Sequence, residues 1–211
     1  MLDIEYKGGN SVVLSTKKMS IVTDPKLSLV GLKDYTLKDD VELATEARFA
    51  LNSEDARLRI EGPGEYGVAD FDIRGVAAQR HLDDATVPFA STAYRLEIGG
   101  IRVAVLGNIA GKLSDDQLEA LGVIDVLIIP VGGNGYTLDA TGAATVTRQI
   151  DPKAVIPVHY AEAGVNYEVP QGDLEEFTKE LGAPVEEVNK FKIKTASSIP
   201  ASLTVMKVTR S

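Results

Sequence analysis

Two histidines, His81 and His159, are the whole imidazole supply of this chain, and it has no cysteine. Metal chemistry therefore has few donors to draw on. A catalytic zinc takes three protein ligands and keeps a fourth position open for water. His81 and His159 with one carboxylate from Asp24, Asp83 or Asp84 would supply two imidazoles and one carboxylate for a single ion. Such an ion lowers the pKa of its water and polarises a scissile carbonyl or phosphoryl oxygen. The plainer reading, and the preferred one, makes His159 a buried strand-end residue hydrogen-bonded to a neighbour and His81 a solvated loop residue. Asp24 precedes Pro25 at a strand end, where forming a turn is the simplest task for it. No Gly-x-Ser-x-Gly motif provides a nucleophile for His159. Gly132–Gly133 with Gly135 is not a phosphate loop, because no Lys-Ser/Thr follows.

The elements that must position these residues follow from pattern. Val126–Leu127–Ile128–Ile129 reads as a buried strand ended by Pro130, and Ala154–Val155–Ile156–Pro157–Val158 as a second one that delivers His159 and Tyr160. Between them Asp139 caps a helix to about Gln149, stopped by Asp151–Pro152. This strand–helix–strand unit places its chemistry where strands give way to loops. Earlier, Ser11–Leu14 and Ser20–Thr23 form a hairpin, and Val41–Thr45, Leu58–Glu61, Glu65–Val68 and Phe71–Ala78 continue the β pattern. Residues 46–52 suit a helical turn. Thr92–Ile98 and Ile101–Leu106 make a hairpin about Gly99–Gly100. Ser114 with Gln117 forms a capping box for a helix to Leu121, and Asp173–Leu181 is an amphipathic helix stopped by Gly182. Val185–Val188 and Ser202–Val208 close the sheet system.

At 211 residues and 44% hydrophobic, the chain fits one domain spanning 1–211. Its net charge of −9 argues against nucleic acid as a partner, since phosphate binding needs a positive surface. No apolar run is long enough to span a membrane. Leu2–Tyr6 reads as strand, not as a charged-then-apolar leader, and with the lack of cysteine this gives the expectation of a cytoplasmic protein.

Several stretches together resemble the metallo-β-lactamase-fold hydrolases, and among them the compact zinc-dependent group similar to the ascorbate-phosphate lactonases. They are Tyr6–Ser11, Thr23–Asp24–Pro25, Gly62–Tyr66, Leu106–Gly107–Asn108, Pro130–Gly133, Tyr136–Ala140 and Ile156–Tyr160. The resemblance implies an α/β fold, an αββα four-layer sandwich with a two-metal site at one edge of the sheets. It also exposes what is missing. The His-x-His-x-Asp-His signature aligns by context near residues 45–50, so Thr45, Ala47, Phe49 and Ala50 stand at vacated ligand positions. Asn10 replaces the first-motif histidine, and Asn108 replaces the bridging aspartate. Apolar side chains from 47–50 are expected to fill part of the old pocket, with Arg48 replacing metal charge. The resulting expectation is a degenerate, non-catalytic relative with no resident cofactor, or at most one zinc, that binds a small molecule or a partner, a second copy of the chain included. The alternative is a metal-dependent hydrolase of a lactone or phosphoester, with a rebuilt one-metal site at His81 and His159 and with Asp24 as third ligand.

Overall fold

The chain's alternating apolar positions settle into two sheets in the computed structural model, which describes residues 1–81 and 90–211. Leu2, Ile4 and Tyr6 all point inward from β1 (Leu2–Gly8) and are buried, while Asp3, Glu5 and Lys7 are half-buried on the other face. β1 pairs antiparallel with β2 (Ser11–Ser15), and β2 with β3 (Ser20–Thr23). β4 (Val41–Ala44) and β5 (Leu58–Glu61) add in parallel. The second sheet starts at its outer edge. β6 (Gly64–Val68), β7 (Phe71–Ala78), β8 (Ser91–Ile98) and β9 (Ile101–Val105) form an antiparallel meander.

After α1 (Asp115–Leu121) the connections become crossovers. β10 (Val126–Pro130) lies parallel to β9, α2 (Ala140–Ile150) returns the chain, and β11 (Ala154–Val158) lies parallel to β10. After α3 (Leu174–Leu181) come β12 (Val185–Val188), then β13 (Phe191–Ile193), which crosses to pair with β1, and finally β14 (Thr204–Val208), between β11 and β12. Among the described residues the orders are β13-β1-β2-β3-β4-β5 and β12-β14-β11-β10-β9-β8-β7-β6. Both sheets are mixed, as an αββα sandwich of hairpins followed by βα units requires. Phe191–Ile193 carried no sequence signal beyond three residues, yet it becomes an edge strand because Phe191 and Ile193 bury while Lys192 faces out.

The inner faces meet in one core that includes Tyr6, Phe71, Tyr94 and Leu96. Helices cover the second sheet: α1 packs on β7, and α2 on β10 and α3. Over the first sheet the outer layer is thin. Residues 24–57 provide two 3₁₀ turns, Leu27–Val30 and Ala47–Phe49, and Tyr35, Leu37, Leu51 and Ala56 cover Val13 and Val22. Among the described residues no helix is long and apolar enough to cross a membrane.

One buried carboxylate holds that thin layer in place. Glu42, on β4, is 1% exposed and accepts backbone N–H bonds from Leu51, Asn52 at 2.9 Å and Ser53 at 3.0 Å. Glu42→Gln would turn an N–H₂ toward these donors. Urea denaturation is expected to show a loss of about 2–3 kcal/mol, against about 0.5 kcal/mol or less for Glu61→Gln on exposed β5.

Candidate functional site

β11 ends at Val158, and at His159 the backbone turns into the left-handed region at φ +53°. Its N–H donates to the Gly9 carbonyl at 2.9 Å, so the end of the second sheet is tied to the β1–β2 turn of the first. Gly132 makes this possible from the neighbouring strand end, because a Cβ there would lie 2.3 Å from the His159 carbonyl oxygen. The ring is 2% exposed and lies against Tyr167, with centroids 4.6 Å apart, and Tyr136 at 5.5 Å.

A buried hydrogen-bond chain leads away from the ring. His159 Nδ1 is 2.9 Å from Asn10 Oδ1, Asn10 Nδ2 donates to Asn108 Oδ1 at 3.4 Å, and Asn108 Nδ2 donates to Glu46 Oε1 at 3.1 Å. Arg80 closes it with an ion pair to Glu46 Oε2 at 3.5 Å. Because each amide donates onward, the Asn10 oxygen must accept from the ring, and the proton of the neutral imidazole sits on Nδ1. Burial, and then the Arg48 charge, hold the histidine down at about 3, so it stays neutral at ordinary pH. Burial raises Glu46 above the usual carboxylate range, against the lowering effect of Asn108, Arg80 and Arg48.

His159 Nε2 is left as a buried acceptor with no partner, and Gln171 Oε1 is another. Both line a cavity of about 20 Å³ with Phe49, Tyr136, Tyr167 and Arg48 among its walls. Next to it lies a cavity of about 70 Å³ bounded by Glu46, Arg48, Arg80, Asn108 and Tyr136. Arg48 sits over the rings of Phe49 (5.3 Å) and Tyr136 (5.4 Å) and pairs with Glu168 at 3.1 Å.

Among the described residues His81, His159 and Asp24 do not form a group able to hold a metal ion. His81 is exposed, and its backbone N–H donates to the Asn108 carbonyl. Asp24 is buried but directed elsewhere: Thr45 N and Thr45 Oγ1 both donate to its carboxylate at 2.7 Å. Asp83 and Asp84 lie outside the described residues. Among the described residues no three His, Cys, Asp or Glu side chains are grouped so as to hold a metal ion.

The vacated segment also differs in detail from expectation. Phe49 does wall the smaller cavity, but Ala47 is exposed, and Ala50 is buried without lining either cavity. Thr45 is a strut: besides holding Asp24, its carbonyl accepts from Thr92 N and Ser91 Oγ. The side chains that enter the site from this segment are Glu46 and Arg48. Glu46, Arg80, Tyr167 and Gln171 were not among the sequence candidates. The one cue was Glu46 itself, a carboxylate inside the signature window.

This donor set does not fit a dinuclear zinc centre. Asn10 and Asn108 are amides at the positions where the resemblance implies an imidazole and a bridging carboxylate, and Arg48 lines the same cavity as His159.

A family model described as a β-lactamase superfamily domain matches residues 3–159. A UPF0173 metal-dependent hydrolase of Salinibacter ruber is 23% identical over 193 residues, covering 75% of this chain and 84% of the relative. One from Natranaerobius thermophilus is 39% identical over 96 residues, but the match spans only 44% of this chain and 42% of that relative. Among solved structures, a Thermotoga maritima protein assigned to the zinc-dependent hydrolases of the metallo-β-lactamase superfamily superposes with a TM-score of 0.77 at 25% identity, over 99% of this chain and 100% of its own. Igni18, a metallo hydrolase from Ignicoccus hospitalis, has the same fold, with a TM-score of 0.63 at 19% identity, over 98% and 95% of the two chains.

Proposed function

The chain belongs to the β-lactamase superfamily, and from that premise we propose that it is a non-catalytic member without the two-zinc centre, whose cleft beside His159 binds a small molecule. The observation that supports this most is the buried His159–Asn10–Asn108–Glu46 chain. It fills with amide hydrogen bonds the region where a carboxylate-bridged metal pair would need negative charge. A neutral amide neither bridges two dications nor balances them. The relatives named above as metal-dependent hydrolases give the reading its contrast.

Elemental analysis of the dialysed protein tests it. Zinc well below one equivalent is expected, with no lactone or phosphodiester turnover above that of His159→Ala. Added zinc is expected to leave the melting temperature of parent and variant unchanged. One zinc per chain surviving dialysis, with turnover lost in both His81→Ala and His159→Ala, would overturn the proposal in favour of a one-metal hydrolase.

A further inference from the structure

We propose that Asn134–Gly135, in the turn between β10 and α2, is a self-modification site: it deamidates in the folded protein to aspartate and isoaspartate, and the change unfastens the β11–α3 loop that packs on His159. The inference goes beyond the small-molecule reading and stands whether or not a ligand fills the cleft.

The chemistry needs an asparagine followed by a backbone nitrogen free to attack it. Gly135 N gives its proton to hydroxide and attacks Asn134 Cγ. A new C–N bond forms, the bond from Cγ to Nδ2 breaks, and Nδ2 takes up a proton and leaves as ammonia, which closes a succinimide. Water then opens one of the two C–N bonds of that ring. Opening at Cγ gives aspartate in an unchanged chain. Opening at the backbone carbonyl gives isoaspartate, whose backbone is one methylene longer. Amide and water are consumed, acid and ammonia are released, and nothing is oxidised or reduced.

This is the only Asn-Gly pair in the chain. Both residues are exposed, and nothing lies within 4 Å of the place a Cβ would take at Gly135. Among the described residues no hydrogen bond engages the Gly135 N–H. Other asparagines are guarded. Asn10 and Asn108 are buried in the hydrogen-bond chain from His159. Asn52 is exposed and has nearly the same backbone, with φ +55° against +54° at Asn134, but the nitrogen after it, Ser53 N, donates to Glu42 at 3.0 Å.

The Asn134 side chain decides what the conversion does. Its Nδ2 donates to the Pro170 carbonyl. Among the described residues this bond and Gly172 N to Gly132 O, at 2.6 Å, are the two hydrogen bonds between the β10–α2 turn and the β11–α3 loop. Neither product keeps the side-chain donor, and the carboxylate each carries instead is repelled by the carbonyl oxygen. The same loop brings Tyr167 onto the His159 ring at 4.6 Å and Gln171 into the wall of its cavity. Isoaspartate also lengthens a turn that Tyr136 N closes onto Gly133 O at 3.3 Å.

The test incubates the whole chain at mildly alkaline pH, folded or unfolded in guanidinium, and follows tryptic peptides by mass spectrometry and isoaspartate-specific methylation. The peptides of residues 49–57 and 113–148 hold one asparagine each, Asn52 and Asn134. Folding is expected to slow Asn134 by less than about tenfold and Asn52 by more than that. Equal suppression of both sites by folding would overturn the proposal. Asn134→Asp, an exposed change that tolerates the left-handed backbone, carries the aspartate product at full occupancy. Hydrogen exchange over residues 161–172 is expected to run about tenfold faster in it than in the parent. Identical exchange in the two proteins would overturn the unfastening.

Discussion

Gly132→Ala is expected to destabilise the protein by at least about 3 kcal/mol, a large share of the roughly 5–15 kcal/mol of a typical domain. The new methyl would lie 2.3 Å from the His159 carbonyl oxygen, 2.5 Å from Gln171 Oε1 and 2.9 Å from Gln171 Cβ. Gln171 could rotate, but the carbonyl has nowhere to go. His159 is fixed by its N–H bond to Gly9, and the next pair along, Val131 N to Val158 O, is 3.0 Å. On its other side Gly132 accepts from Gly172 N at 2.6 Å, so backing away breaks that bond. Gly67→Ala is the control, since its methyl would find only Asp72 Oδ1 at 3.9 Å. Thermal or urea denaturation of both variants decides the point. A Gly132→Ala protein as stable as Gly67→Ala would show that the β10 and β11 ends can part without loss.

Acid titration of stability is the second large effect. Burial, opposed by the two Thr45 hydrogen bonds and reinforced by Glu46, pushes Asp24 up to about 7, against about 3.9 in an unfolded chain. Between those values unfolding releases a proton, so its share of stability is present at low pH and is lost as pH rises. His159 has the opposite sign. Held at about 3 when folded, against about 6.5 unfolded, it takes up a proton on unfolding, and its share is lost as pH falls. Each slope is about 1.4 kcal/mol per pH unit, and from about pH 4 to about 6.5 they cancel. Asp24→Asn is therefore expected to gain an acid dependence the parent lacks, on the order of 3 kcal/mol across that window. His159→Asn, which tolerates the left-handed backbone, should instead lose stability as pH rises. Other carboxylates contribute equally to all three proteins, so the differences between curves carry the information. Parallel curves for parent and Asp24→Asn would mean that Asp24 is ionised throughout.

Much of this architecture can be read in the chain because its strands are built on unambiguous apolar runs. Val126–Pro130 and Ala154–Val158 are buried at every position, and Ser114 and Asp139 cap the helices they were expected to cap. The burial of His159 and its hydrogen bond to a neighbour follow from its place at the end of such a run. The site around it was harder. Glu46, Arg80 and the pair Tyr167 and Gln171 come from three separate loops, and no local pattern announces that they converge. Context could place the signature window near 45–50, but it could not say which side chains of a 3₁₀ turn face inward. Glu46 and Arg48 enter the site, and Ala47 faces solvent. Asp24 illustrates the same limit. Its position after a strand was clear, but the Thr45 hydroxyl that claims its carboxylate lies twenty-one residues away.

The edge strands have a consequence for crowding in solution. Among the described residues each sheet ends in two border strands with no further strand paired to them, β5 and β13 in one, β6 and β12 in the other. Every one of them carries outward charge: Arg59 and Glu61, Lys192, Glu65, and the adjacent Glu186 and Glu187. If two copies laid β12 against β12 antiparallel about its centre, Glu186 of one would face Glu187 of the other in both central pairs of the ladder. Like charges set directly opposite are repulsive. The borders thus resist templating one another into a growing ribbon, and the chain can keep two open-edged sheets without closing them into a barrel.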